Sequence, residues 1–391
     1  MKVSIITVLN TVNYGSALQT FATQRFFEKM GIEIEFVDYW RKDQTTNARI
    51  HRIITDKKKT LLVAIPMALV VLAVFAFFYS RQWVKNPLRD ILEIKSIKKS
   101  EDIFRKFIVE KIHLTPKTYF SYEELVKDCP QADVYATGSD QMWNSGWNQG
   151  IEKSFFLEYA PENKKRIAFA TSIGKTQFEK EEADEIIPLI KKYDLVTLRE
   201  QSAVDLLKEY DIDGQLVLDP TLTLKKEDWF EILPKNKRTK PYLLVYQLHM
   251  SHNNADFTRA VQEIAARKGL EIVRVVYSYS DRKVGEKVVL PGVFEFLSLI
   301  RGAGFIVTDS FHGTAFSINF NKQFAVIYPE FFGTRMDNIL RLTNLQNRRY
   351  QSSDSIEKWD TEIVYDEANR ILEERRTRVE DVFKKYFEVT N

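Results

Sequence analysis

The strongest chemical signal in the sequence is the group Asp309, Ser310, His312, Gly313 and Thr314. It lies between a short apolar run, 305–308, and an amphipathic stretch, 313–320. That pattern predicts a strand–loop–helix junction. A helix leaves its first backbone N–H groups unpaired, and these groups and the helix dipole favour phosphate or carboxylate. Gly313 has no side chain to block close approach. The His312 imidazole can carry a proton near neutral pH. Its competing role is structural, as a helix cap or a partner of a backbone carbonyl. Asn13, Tyr14, Gly15, Ser16 and Ala17 open an earlier helix in the same manner, with Gly15 allowing a turn and Ser16 able to cap. The full dinucleotide fingerprint is missing there, so nicotinamide binding has no support.

Two arginines stand where they can hold an anion. Arg199 directly follows an apolar run, and Arg335 opens a helix after Phe332 and Gly333. A guanidinium can clamp a carboxylate or phosphate through paired N–H groups. The alternative for Arg199 is an ion pair with Glu200 or another acid. Trp143 and Trp147 flank a polar loop and either stack on a sugar or pack a domain edge. His249 and His252 lack a supporting carboxylate motif, so no metal is expected. His51 and His113 lie in basic surroundings and read as surface residues.

These residues need a scaffold that gathers loops. Short apolar runs alternate with polar loops and amphipathic stretches, the pattern of βα units and a parallel sheet. Strands are expected at 3–8, 34–38, 134–137, 167–170, 195–198 and 216–218, then at 242–246, 272–276, 305–308 and 324–327. Helices are expected at 17–30, 182–192, 201–210, 254–268, 294–301, 313–320 and 335–342. The fold class is therefore α/β, with one domain over 1–225, a linker over 226–241 and a second domain over 242–365. A charged helix over 366–391 is long enough to fold back across both. Ligands of open parallel sheets bind beyond the carboxyl ends of the strands. Residues at those ends include Asn10, Ser139, Asp140, Thr171, Ser172, Asp219, Gln247 and His249, besides those named above. One half-site per domain implies a cleft between them.

Composition narrows the function. Lys and Arg total 57 against 54 Asp and Glu, with both signs interspersed, which argues against a nucleic-acid binder. A single cysteine, Cys129, excludes an intrachain disulfide framework and fits a reducing compartment. The run from Thr60 to Tyr79 carries no charge and is flanked by Lys57, Lys58, Lys59, Arg81, Trp83 and Lys85. A helix of ~20 apolar residues can cross a bilayer core, and basic and aromatic flanks belong at its surface. A simple span would place strands of one sheet on opposite sides of the membrane, so it is rejected. The insertion 57–85 is expected to lie in or dip into one leaflet; the alternative is a helix covered by protein.

The segments NYGSALQTFA, GSDQMWN from Gly138, the strand ending at Thr171 and Ser172, LRE around Arg199, LDPTL from Leu218 and TDSFHGTAFSINF from Thr308 resemble the polysaccharide pyruvyl transferase family. The resemblance implies two Rossmann-like domains arranged as in GT-B glycosyltransferases. It implies phosphoenolpyruvate as donor, a hexose or N-acetylhexosamine as acceptor, a cyclic ketal as product and no separate cofactor. His312 matches the family's His-Gly element and would serve as acid or base. Arg199 would hold donor charge, with Ser310, Gly313, Thr314 and Arg335 around it. Asn13, Tyr14, Gly15, Ser139, Asp140, Trp143, Thr171, Ser172, Gln247 and His249 would line the cleft or acceptor side. Some members carry an arginine at the position of Ser310, so another cation, such as Arg335, must replace it or the donor is held differently. The expected location is cytoplasmic, at the inner face of the cell membrane beside a lipid-linked acceptor. The competing readings are a sugar-nucleotide glycosyltransferase on the same plan and a catalytically silent assembly factor.

Overall fold

The computed structural model describes residues 1–41, 87–249, 254–283, 285–329 and 333–390. The expected membrane insertion at 57–85, with Thr60 to Tyr79, and also His51 and His252, lies outside them. Among the described residues no helix is long and apolar enough to cross a membrane.

The first sheet contains β1 (Lys2–Ile6), β2 (Glu33–Tyr39), β3 (Leu114–Tyr119), β4 (Val134–Thr137), β5 (Lys165–Thr171), β6 (Leu195–Leu198) and β7 (Gly214–Leu216). Its order is β3-β2-β1-β4-β5-β6-β7. Every pairing is parallel. The second sheet contains β8 (Tyr242–Tyr246), β9 (Glu271–Val275), β10 (Lys287–Val289), β11 (Phe305–Thr308) and β12 (Phe324–Val326). Its order is β10-β9-β8-β11-β12, again parallel throughout. Strand order reverses between β1 and β4 in one sheet and between β8 and β11 in the other. Loops diverge at such a reversal and leave a crevice beyond the strand ends. His312 follows β11 and Asp140 follows β4, each at a reversal, while Arg199 follows β6, two strands from the reversal.

Helices of the first domain are α1 (Tyr14–Lys29), α2 (Pro87–Lys111), α3 (Tyr122–Lys127), α4 (Ser145–Asn148), α5 (Lys180–Ile190), α6 (Gln201–Lys208) and α7 (Pro220–Thr223). Next come α8 (Lys226–Ile232), α9 (Asn254–Lys268), α10 (Val293–Gly302), α11 (Phe311–Asn319), α12 (Thr334–Leu342) and α13 (Asp366–Thr390). The linker expected over 226–241 is irregular only in its second part. It begins as α8, because Trp229 is fully buried against Phe21 and Phe316 and needs a fixed backbone. Helix α2 was not foreseen. It reaches the second domain, where Ser96 Oγ accepts from the Tyr279 N–H at 2.9 Å and Glu93 accepts from the Ser280 N–H at 2.9 Å.

The domains share an apolar core. Tyr14 of α1 stacks on Phe296 of α10 with ring centroids 4.3 Å apart, and its hydroxyl donates to the Pro291 carbonyl at 2.7 Å. Phe21 meets Phe294 edge-on at 5.1 Å. Helix α13 folds back as expected. Ala368 and Leu372 are buried near its start, and Phe383 packs on Phe26, Phe27 and Phe169 of the first domain. Midway, Arg376 donates to the Leu222 carbonyl at 2.8 Å and to Asn319 Oδ1 at 2.9 Å.

Candidate active site

His312 lies in the first turn of α11, behind an N-cap made by Ser310. The Ser310 hydroxyl accepts from the Gly313 N–H at 3.3 Å, and its carbonyl accepts from the Thr314 hydroxyl at 2.9 Å. A Cβ at Gly313 would lie 2.4 Å from Thr308 Oγ1 and 2.9 Å from Tyr246 Cδ1. Gly313 thus permits the helix to press against the strand ends, and its amide is already satisfied. The expectation that Ser310, Gly313 and Thr314 offer open donors to an anion is corrected on this point. Asn13 does the same for α1, accepting from the Gly15 N–H at 2.8 Å and the Ser16 N–H at 3.2 Å.

The His312 ring crosses from the second domain to the first. A Cβ at Gly15 would fall 2.0 Å from its Nδ1, so only glycine leaves room for the ring. On the other side Nε2 stands 3.7 Å from Asp219 Oδ2, a charge contact too long for a hydrogen bond. Asp219 is held by its own loop. Its Oδ1 caps α7, accepting from the Thr221 N–H at 3.0 Å and the Thr221 hydroxyl at 2.6 Å.

Arg199 knits the cluster together. Its Nη1 donates to Asp219 Oδ2 at 2.8 Å, and its Nη2 donates to Asp140 Oδ1 at 3.1 Å. Nη1 also lies 3.4 Å from Ser139 Oγ. Nε stands 3.7 Å from Glu200 Oε2. This guanidinium is 1% exposed and already forked onto protein acids, so its main partners are Asp219 and Asp140. Asp140 also accepts from the Ser16 hydroxyl at 2.7 Å, which ties α1 to the end of β4. Its backbone has φ 81, a left-handed conformation that costs about 1–3 kcal/mol in a non-glycine residue. Glu200 Oε1 accepts from the Ser172 hydroxyl at 2.7 Å and from the Ile173 and Gly174 N–H groups at 3.0 Å each. Thr171 donates to the Gly138 carbonyl at 3.0 Å and closes the same strand ends.

Arg335 approaches from the first turn of α12. It lies 3.9 Å from Asp140 Oδ1, and its guanidinium sits over the Phe311 ring at 5.7 Å. No hydrogen bond of its side chain is found among the described residues. Arg199 stacks on the same Phe311 ring at 5.1 Å. Burial and the charge of Arg199 push the Arg335 guanidinium down to about 10, still protonated at neutral pH.

Burial dominates the state of His312 and lowers its proton affinity. Asp219 and Asp140 pull it up, Arg199 and Arg335 push it down, and the net shift is downward. Burial raises both aspartates, but His312 and Arg199 hold Asp219, and Arg199, His312 and Arg335 hold Asp140, below the usual carboxylate range. The resting cluster is therefore a neutral imidazole beside ionised carboxylates.

Other expected residues take different positions. Trp143 is 1% exposed, donates from its indole to the Phe155 carbonyl at 3.2 Å and stacks on Phe156. It packs the core and cannot stack on a sugar. Tyr14 is likewise buried in the domain interface. Gln247 and His249 belong to a second group, where Asp309 accepts from the Leu248 N–H at 2.6 Å and the His249 N–H at 3.0 Å. Gln247 Oε1 accepts from Arg274 at 2.9 Å. Burial pushes the Asp309 carboxyl up to about 6. Glu200 was expected only as an ion-pair partner of Arg199, which it is at 3.7 Å, and Asp219 was not assigned a role from sequence; its only signal was its place just after a strand. Among the described residues no group of three or more His, Cys, Asp or Glu is placed to hold a metal ion.

The arrangement can shift a proton at His312 with Asp219 behind it, and it can hold an anion at Arg335. Comparison with known proteins agrees with this architecture. Chain folds similar to this one include S. aureus MnaA with UDP, at TM-score 0.52 and 10% identity, covering 99% of this chain and 97% of that one. Another is the Methanocaldococcus jannaschii UDP-GlcNAc 2-epimerase in complex with UDP-GlcNAc and UDP, at TM-score 0.51 and 14% identity, covering 96% and 94%. These likenesses establish the two-domain GT-B-like fold alone. No curated protein matches the sequence. The sequence pattern described as Polysaccharide pyruvyl transferase matches residues 13–330, from the cap of α1 to just before α12. The chain belongs to the polysaccharide pyruvyl transferase family.

Proposed function

We propose that this protein moves the pyruvyl group of phosphoenolpyruvate onto a hexose or N-acetylhexosamine of a lipid-linked surface polysaccharide precursor. The product is a ketal across two hydroxyls. Family membership supports pyruvyl transfer. The observation that carries the chemistry is the buried His312–Asp219 pair, facing Arg335 where the two sheet reversals meet.

His312 starts neutral, so it starts as a base. In the first step a sugar hydroxyl adds to C2 of the donor. Its proton passes by way of the imidazole to the C3 methylene, which becomes a methyl group. In the second step a neighbouring hydroxyl bonds to C2 as the bond from C2 to the phosphate oxygen breaks. The second hydroxyl proton leaves with the phosphate, as hydrogen phosphate. The transfer needs no oxidant or reductant. Asp219, 3.7 Å from Nε2, stabilises the imidazolium by its charge while the ring carries the proton. Arg199 positions Asp219 and Asp140. Arg335 has donors left for the charge of the donor and serves where Ser310 brings none. The segment between Thr60 and Tyr79 would hold the enzyme at the inner face of the cell membrane, beside its acceptor.

Donor binding tests this reading. The detergent-solubilised protein is titrated with phosphoenolpyruvate and, separately, with UDP-sugars, and its melting is followed. A ligand at ~100 times its Kd stabilises the fold by about 2.7 kcal/mol. A saturable shift with phosphoenolpyruvate and none with UDP-sugars is expected. The reverse pattern would assign the cleft to a sugar nucleotide.

A further inference from the structure

The two arginines of the cluster behave differently. Arg199 forks onto Asp219 and Asp140, the usual outcome for a guanidinium buried among acids. Arg335 has the same company. Its side chain is only 15% exposed, and Asp140, Glu200 and Asp219 all attract it. Yet it stops 3.9 Å from Asp140 Oδ1 and makes no side-chain hydrogen bond among the described residues. A desolvated cation without hydrogen bonds is costly, so another contact must hold it.

That contact is an aromatic face. The Arg335 guanidinium stands over the Phe311 ring at 5.7 Å, and the Arg199 guanidinium stands over the same ring at 5.1 Å. Both lie within the reach of a cation–π attraction. The face of an aromatic ring carries negative potential but no lone pair to accept a hydrogen bond. It can therefore hold Arg335 without using any of its N–H groups, whereas a carboxylate would consume them. The ring also lets two cations that repel each other share one small volume. Phe311 is itself well fixed. It opens α11 directly after the Ser310 cap, packs on the apolar core and meets the His312 ring edge-on at 5.1 Å.

We propose that Phe311 is a positioning residue, whose ring face holds Arg335 short of Asp140 and keeps the guanidinium N–H groups open to an incoming anion. That this anion is phosphoenolpyruvate rests on the pyruvyl-transfer reading; that the ring spares Arg335 does not. Without the ring, Arg335 closes the gap to Asp140 and becomes a second structural ion pair.

The test compares the full chain with Phe311→Leu, with Phe311→Tyr and with trifluorophenylalanine at position 311. Leucine keeps an apolar side chain and removes the ring. Tyrosine keeps the ring. Fluorination drains the negative face at nearly constant size, so it separates the charge of the ring from its bulk. The Kd for phosphoenolpyruvate by calorimetry and KM should both rise roughly tenfold in Phe311→Leu, and less in the fluorinated protein. Phe311→Tyr should restore both, and kcat at saturating donor should change far less than KM. A crystal structure of Phe311→Leu should show Arg335 hydrogen-bonded to Asp140. Fluorinated protein that binds like wild type while Phe311→Leu does not would assign the effect to bulk and overturn the proposal. So would an Arg335 left in place in Phe311→Leu. Wild-type affinity and turnover in Phe311→Leu would keep the pyruvyl-transfer reading and overturn the role of Phe311. If wild type binds no phosphoenolpyruvate, that reading falls and the crystal structure decides: closure onto Asp140 upholds the role of the ring, and an unmoved Arg335 overturns it.

Discussion

At His312, burial and charge pull in opposite directions, and burial wins. A neutral resting imidazole sets the pH dependence. Activity that needs the free base should hold as pH falls through the ordinary histidine range near ~6.5 and fail only below it. Asp219→Asn removes the carboxylate that raises His312, so the acid limb of kcat/KM should move to still lower pH. The same change should cut kcat by about 10²–10⁴, the usual span for general acid–base groups. An unchanged limb would detach Asp219 from the imidazole. Gly15→Ala puts a methyl 2.0 Å from Nδ1, so the ring must leave its present position. Overpacking of this kind costs about 1–3 kcal/mol, and turnover should fall much further than denaturant stability does. Arg199 carries a structural load first. Arg199→Met would leave Asp140, Asp219 and Glu200 without their shared cation and should cost about 3–5 kcal/mol in chemical denaturation. The two aspartates also set acid stability. Their folded pKa values are depressed, so their contribution is full above the unfolded value near ~3.9 and is lost as pH falls below it.

Among the elements, α13 acts as a strap. It begins on the second domain and ends with Phe383 and Phe387 buried against the first. Deleting residues 366–391 uncovers Phe26, Phe27 and Phe169, and the product should aggregate rather than melt cooperatively; a soluble, cooperative truncation in sedimentation and calorimetry would contradict this. For the segment between Thr60 and Tyr79, the expected outcome is partition of the chain into membranes and release when 57–85 is deleted. Strands β4, β6, β8 and β11 were legible residue for residue, since each is a short apolar run buried in the sheet interior and bounded by polar or glycine-containing loops. The edge strands β3 and β10 were not. β3 carries Pro116 and is only partly buried, and β10 has three residues, so neither shows a buried-strand pattern. Helix α2 is dense in lysine and glutamate, and its apolar face is too sparse to announce itself. His312 and Arg199 were singled out by the strand-end rule, and Arg335 by its place at a helix start. Which carboxylate faces the imidazole did not, because Asp219 and His312 come from different domains and meet only through side-chain geometry. Self-capping at Ser310 and Asn13 depends on rotamers, which sequence does not reveal.

Across the whole molecule, two parallel sheets present their strand-order reversals to each other, and α1 is packed into both domains. The apolar seam of Tyr14, Phe21, Phe294 and Phe296 sets their spacing, and the charged cluster then bridges them through His312 and Arg335. Neither domain alone holds His312, Asp219 and Arg335 together. Turnover should therefore depend on the joined pair and not on either half. The most direct measurement of pyruvyl transfer is phosphate release from phosphoenolpyruvate in the presence of lipid-linked saccharides extracted from membranes, with wild type beside His312→Gln. The account predicts acceptor-dependent release by wild type, matched one for one by ketal-bearing product, and its loss in a His312→Gln protein that melts like wild type. Release that persists in the folded variant, or consumption of a UDP-sugar in place of phosphoenolpyruvate, would contradict it.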